Sequence, residues 1–240
     1  MTTVRPVSAR SALLSMLLGA HPPTMTARAL VAAVGLVGVA ESAARAALSR
    51  MVAAGDLDRA DGRYTLSPRL LARQRRQDAA VDPETCPWSG AWEAAVITTT
   101  GRDAADRAAL RADLSALRLA ELREGVWLRP ANLARRWPDL PVTRLTARPA
   151  DHPATLAATL WDLDAWSTHA RTLLKAAATT DEPARFAAVA MSVRHLMTDP
   201  VLPAELLPPH WPGPALRANY AEYRAWLKSL AGADLAEHIG

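Results

Sequence analysis

The sequence predicts an α+β chain in three parts, and three observations carry that prediction. Residues 8–52 hold three short helical patterns followed at once by a basic hairpin. Residues 92–147 alternate strand and helix patterns, and from Asp151 onward only helical spacing recurs. The 240 residues exceed a typical single domain, and half of them are apolar, which suits packed cores and not a disordered chain.

Ser8 to Ala20 reads as a first helix with Leu13, Leu14, Leu17 and Leu18 on one face. Arg5 and Arg10 ahead of the Leu-rich run give it the outline of a signal peptide. Ser15 interrupts that run, though, and another helix follows in place of a small-residue cleavage site. His21-Pro22-Pro23 ends the helix, because proline has no amide donor and restricts the residue before it. Thr24 or Thr26 is expected to cap a second helix through about Val34. Gly35-Leu36-Val37-Gly38 is a turn without GxGxxG spacing or a preceding strand, so it is not a nucleotide loop. Ala29 to Ala40 is too short to cross a bilayer, and no membrane partner is expected.

A third helix starts near Glu41 and closes at Gly55. Ala44, Ala47, Leu48, Met51 and Val52 recur at i, i+3, i+4, i+7 and i+8, which predicts the buried face. The opposite face carries Ser42, Arg45, Ala46 and Ser49, with Arg50 at its edge. The hairpin runs 56–60 and 63–66 around Asp61-Gly62, a strong two-residue turn signal. Leu57, Tyr64 and Leu66 are expected inside, with Arg59 and Arg63 flanking the turn.

Three helices and then a basic hairpin is the order of a winged helix-turn-helix, whose helix enters the major groove while the hairpin touches the backbone. Small residues between arginines let a helix approach base edges, which Arg45 and Arg50 would reach. The candidate DNA-binding residues are therefore Ser42, Arg45, Ser49, Arg50, Arg59 and Arg63. Charge follows the same division: residues 1–77 carry +7 and residues 78–240 carry −3. A basic N-terminal part suits a phosphate backbone.

Ser67-Pro68 opens a fourth helix bearing Arg69, Arg73, Arg75 and Arg76, which closes a DNA-binding domain over residues 1–80. Residues 81–90 read as a linker, and all eight tryptophans lie at Trp88 or later. Strand 92–98, helix 103–117, strands 119–122 and 126–129, a short helix 132–137 and strand 142–147 make β-α-β-β-α-β. That is a ferredoxin-like middle domain over residues 91–150. Residues 151–240 read as a helical C-terminal domain, with helices from His152-Pro153, Asp164, Glu182-Pro183 and Pro214.

No catalytic constellation stands out. Cys86 is the sole cysteine, which points to a reducing, cytoplasmic setting. The six histidines form no HExxH pattern, and GxSxG and P-loop strings are missing. No cofactor, metal or enzymatic activity is expected.

Longer strings resemble a known family. Asp199-Pro200-Val201-Leu202-Pro203-Ala204-Glu205-Leu206-Leu207-Pro208-Pro209-His210-Trp211-Pro212-Gly213 resembles the "DPxLPxELLPxxWPG" signature of PaaX-type phenylacetic-acid catabolon repressors. Leu160-Trp161-Asp162-Leu163-Asp164, Trp88-Ser89-Gly90-Ala91-Trp92 and Gly125-Val126-Trp127 resemble that family's "LWDLD", "WdGxW" and "GVW" motifs. Glu41 to Val52 resembles its recognition helix. These matches stand in family order across most of the chain. The resemblance implies a homodimeric winged-helix repressor that binds a double-stranded DNA operator and leaves it when an aryl acyl-CoA effector binds. An effector pocket would then be expected between the middle and C-terminal domains. The proline-rich string itself reads as turn chemistry, with Trp211 covering core.

The middle fold also resembles a small CRISPR-associated adaptation nuclease, whose metal-binding aspartate follows the first strand. Here Ile97-Thr98-Thr99-Thr100 stands there, with no acid before Asp103, so a hard divalent metal lacks its carboxylate. The alternative reading is an acyl-CoA-binding or enzymatic protein whose basic N-terminal domain is only an interaction module.

Overall fold

The structure, a computed structural model, describes residues 7–99, 101 and 103–236, apart from the side chains of 227 and 230–236. Arg5, Thr100 and one of the six histidines, His238, lie outside the described residues. The chain forms two compact units: residues 1–82, 169–198 and 212–240 make the first, and residues 83–168 and 199–211 the second.

In the first unit, α1 (Ala9–Gly19) starts at Ser8, whose hydroxyl accepts the Ser11 amide at 3.2 Å. Its Ala12, Leu13, Leu14, Met16, Leu17 and Leu18 are all buried, so the run that outlined a signal peptide is core. β1 (Thr24–Thr26) is a short strand the helical reading did not expect. It forms because Thr24, Met25 and Thr26 pair antiparallel with the hairpin. Thr26 then caps α2 (Ala27–Gly35) through the Ala29 amide at 3.2 Å.

The third helix, α3 (Glu41–Ala53), ends in a Schellman arrangement around Gly55, at φ 67°. The Asp56 amide reaches the Met51 carbonyl at 2.9 Å and the Gly55 amide reaches Val52 at 3.0 Å. Next come β2 (Leu57–Ala60) and β3 (Arg63–Leu66), which are joined by Asp61 and Gly62, both at positive φ as a type I′ turn requires. The sheet order is β1-β3-β2. Residues Pro68–Val81 form α4.

The second unit is built on β4 (Trp92–Val96), α5 (Ala104–Ala116), β5 (Ala120–Arg123), β6 (Val126–Pro130) and β7 (Thr143–Ala147). The order β5-β6-β4-β7, antiparallel throughout, is the ferredoxin-like topology. Period-two alternation splits the sheet's two faces. Ala95 and Trp127 pack under Leu110 and Leu114 of α5. Trp92, Ala94 and Leu128 pack against Leu156, Leu163, Leu202 and Leu206.

The short helix expected over Asn132–Trp137 is not formed. Its backbone is taken up by residues 84–86: the Cys86 amide donates to Asn132 at 2.9 Å and the Ala134 amide to Glu84 at 3.0 Å. Residues 84–86, read as linker, are therefore paired chain. Asn132 is itself buried and accepts Arg129 Nη2 at 2.7 Å through its side-chain oxygen. A helical turn there would break all three bonds.

Beyond the sheet the chain is helical, through α6 (Pro153–Leu160), α7 (Leu163–Ala177), α8 (Glu182–Leu196) and α9 (Gly213–Ala236). The compact units cut the chain at other places than residues 80, 90 and 150. The boundary crosses α7 between Thr168 and His169. In the first unit Ala177, Phe186, Val189, Val193, Tyr220 and Tyr223 share one core with α1, α2 and α3. An amphipathic helix must bury its apolar face, and these helices bury theirs on the winged helix.

The proline-rich string from Asp199 lies in the second unit and is held there by a buried cation. Arg129 is fully buried, with Nε donating to Pro130 O at 3.0 Å and Nη2 to Val201 O at 3.3 Å. Asn132 Nδ2 donates to the same Val201 oxygen at 3.0 Å, and Arg118 donates to Asp199 O. Burial pushes the Arg129 guanidinium down to about 9, which still leaves it charged at neutral pH.

Candidate nucleic-acid interface

Four buried residues, Ala44, Ala47, Leu48 and Met51, set the roll of α3. With 100° between successive residues, that leaves Ser42, Arg45, Ala46, Ser49 and Arg50 exposed. The helix carries only small side chains between its arginines on that side, so a partner surface can approach the backbone closely.

Arg45 is already engaged. Its Nε donates to Glu41 Oε1 at 2.7 Å, an i,i+4 pair with both side chains more than half exposed. Such a pair contributes about 0.3–0.5 kcal/mol and gives way easily to a better acceptor. Ser49 turns its hydroxyl inward along the helix, donating to Arg45 O at 3.2 Å. Glu41 is therefore a member of this face that the sequence reading left out, although its spacing from Arg45 gives it away.

The hairpin separates the two wing arginines. Arg59 pairs with Tyr64 and Leu57 with Leu66, so Arg59 shares the face of the buried trio, with its guanidinium 5.7 Å from the Tyr64 ring centre. Arg63 stands on the other face with Thr65. There its Nε lies 3.4 Å from Thr24 Oγ1 and its Nη2 donates to Thr24 O at 3.3 Å. Both arginines are exposed, but they do not form one patch.

What fixes this hairpin against the helices is Asp56, a residue the sequence reading passed over as a strand end. It is 3% exposed. One carboxylate oxygen accepts Arg10 Nη2 at 2.6 Å from α1, and the other accepts Arg69 Nη2 at 2.5 Å from α4. Its backbone joins the exit of α3 and also accepts the Ser67 amide at 3.0 Å. The available signal was an acid directly after a helix-closing glycine, in a stretch whose first and fourth helices each carry an arginine near their start, Arg10 and Arg69.

Among the described residues, no group of three or more His, Cys, Asp or Glu could hold a metal ion, and no helix is long and apolar enough to cross a membrane. The described residues directly after β4, Ile97-Thr98-Thr99, carry no carboxylate.

Comparison with known proteins covers both units. The PaaX-like protein family matches residues 8–70, the PaaX protein central Cas2-like domain matches 85–147, and the PaaX-like protein C-terminal domain matches 161–237. A solved structure described as an uncharacterized protein Rv0674 from Mycobacterium tuberculosis is 49% identical, with a TM-score of 0.83, over 94% of this chain and 98% of that one. No curated protein matches. From the winged helix through the Cas2-like sheet to the last helix, this chain belongs to the PaaX-like family.

Proposed function

We propose that this PaaX-like regulator is a sequence-specific DNA-binding repressor, without enzymatic activity, working in the cytoplasm as a homodimer on the operator of a catabolic operon. A small-molecule effector, an aryl acyl-CoA or a close analogue, would release it. The observation that carries the reading is the roll of α3. Its buried alanines, Leu48 and Met51 leave Ser42, Arg45, Ser49 and Arg50 on the exposed side, directly before a hairpin carrying Arg59 and Arg63. The excess of positive charge in residues 1–77 and membership of the family support it.

In this reading α3 lies in the major groove, Arg45 exchanges Glu41 for a guanine edge, and the wing arginines meet phosphates on either side of the hairpin. Two copies would place their α3 helices about 34 Å apart, one turn of DNA. A winged-helix domain over 1–80, a ferredoxin-like domain over 91–150 and a helical domain over 151–240 remain the proposed functional division.

The test is a gel shift with the DNA upstream of the protein's own gene, at moderate salt, against an unrelated duplex of equal length. A specific shift that a CoA thioester reverses is the expected result. Equal binding to both duplexes at every salt concentration would sink the reading.

A further inference from the structure

The first unit holds a solvent-open cavity of about 770 Å³ lined by α1, β1, α2, β3, α4, α8 and α9. That is the size of a site for a whole organic ligand. Its walls are largely apolar, through residues such as Met16, Leu18, Ala33, Phe186, Val189 and Met197. Six cations complete the lining: Arg28, Arg63, Arg73, Arg194, Arg224 and Lys228, with no Asp or Glu among the lining residues. Arg73 from α4 lies near enough to Arg194 from α8 for the charges to act on one another. Its guanidinium is held below its usual range by burial and then by Arg194, Arg10, Arg76 and Arg69. A ligand anion would relieve the repulsion between Arg73 and Arg194 beside this apolar hollow.

We propose that this cavity binds an amphiphilic organic anion, an apolar body with a phosphate-like head, and that Arg63 couples its occupancy to the wing. The apolar body lies along α1 and α8, and the head is held by the arginines at the rim. A doubly charged head suits six cations better than a single carboxylate. The coupling follows from position: Arg63 lines the cavity, reaches Thr24 on β1, and sits on β3 of the hairpin. A ligand that draws the Arg63 guanidinium inward removes a cation from the wing and loosens its tie to β1. Only this regulatory half rests on the DNA-binding reading. The site lies within the unit that carries the winged helix, not at the place where the sequence led one to look for an effector.

The experiment is calorimetric titration of the full chain, without DNA, with decyl phosphate below its micelle-forming concentration, then with decanoate and 1-decanol. One decyl phosphate per chain should bind, at least tenfold more tightly than decanol. Ala190→Phe, which fills the cavity from α8, should weaken binding at least tenfold, and Arg194→Gln, on an exposed residue, should weaken it severalfold. Decanol binding as tightly as decyl phosphate, or Ala190→Phe and Arg194→Gln both leaving affinity unchanged, would overturn the site. Decanoate matching decyl phosphate would overturn the phosphate-like head. With operator DNA present, saturating decyl phosphate should lower affinity at least fivefold for the wild type and not for Ala190→Phe. Ligand binding without that change would overturn the coupling alone. Failure of all specific DNA binding would instead remove the proposed function and leave the calorimetric result standing.

Discussion

Replacing Asp56 with asparagine should cost the winged-helix unit about 1–3 kcal/mol. The carboxylate side chain is 5% exposed and lies between Arg10 and Arg69, which are 56% and 70% exposed. Breaking a fully buried ion pair leaves a stranded charge and costs more, roughly 3–5 kcal/mol. Here the stranded charges are the arginines, and both can turn into water. What is lost is two charge-assisted hydrogen bonds on a buried acceptor, at about 1.5–3 kcal/mol each before solvent screening is deducted. Asparagine keeps the shape and one acceptor, so about half of that is the expected cost. For a protein of this size, each kcal/mol lowers Tm by about 2–4 °C, which puts the shift at roughly 2–12 °C. Denaturation followed by urea and by heat would measure it, with Arg10→Ala expected to cost less than Asp56→Asn. A midpoint within 1 °C of wild type would show that the pairs at 2.6 Å and 2.5 Å contribute nothing net.

Other substitutions separate the roles of the remaining residues. Arg45→Ala should weaken operator binding by about 1–3 kcal/mol and leave random DNA little changed; equal losses on both would make Arg45 a phosphate contact. Arg63→Ala should weaken binding evenly across sequences and lower the salt slope by about one, and a loss confined to the operator would contradict that role. Arg129→Met leaves Asn132 and several carbonyls without their donor and should destabilise the second unit by about 3–5 kcal/mol, read as an early unfolding transition. Unchanged unfolding would mean that the Asp199–Val201 turn is held by other contacts.

Local pattern was enough to read α3, because a buried face at helical spacing depends on nothing distant. The same holds for the Gly55 cap and the Asp61-Gly62 turn. Residues 132–137 were misread for the opposite reason. Their helical pattern is outvoted by residues 84–86 and by Arg129, partners that no short window contains. β1 was missed because three residues make a strand only when β3 supplies the hydrogen bonds. The helical spacing of α8 and α9 announces an apolar face without saying what covers it, so the core they share with α1 was not legible. The opposite faces of Arg59 and Arg63 were legible in principle. A two-residue turn pairs Ala60 with Arg63, which leaves Arg59 one step over and therefore on the other face.

The hairpin is anchored on two sides, and the anchors differ in kind. At the start of β2, Asp56 fastens it to α1 and α4 through a buried carboxylate, and its amide caps α3 at Met51. On β3, an exposed arginine and a threonine hydroxyl fasten it to β1. The buried anchor ties the hairpin to α1, α4 and the end of α3, so under the proposed function its loss should appear in both stability and DNA affinity. The exposed anchor contributes little to folding, since Arg63 can exchange Thr24 for water at small cost. It is the one that a phosphate or a bound anion can capture. Asp56→Asn should therefore lower Tm and operator affinity together, while Arg63→Ala lowers affinity with Tm held within about 1–2 °C. If both substitutions shifted Tm alike, the division between a structural anchor and an exchangeable one would fail.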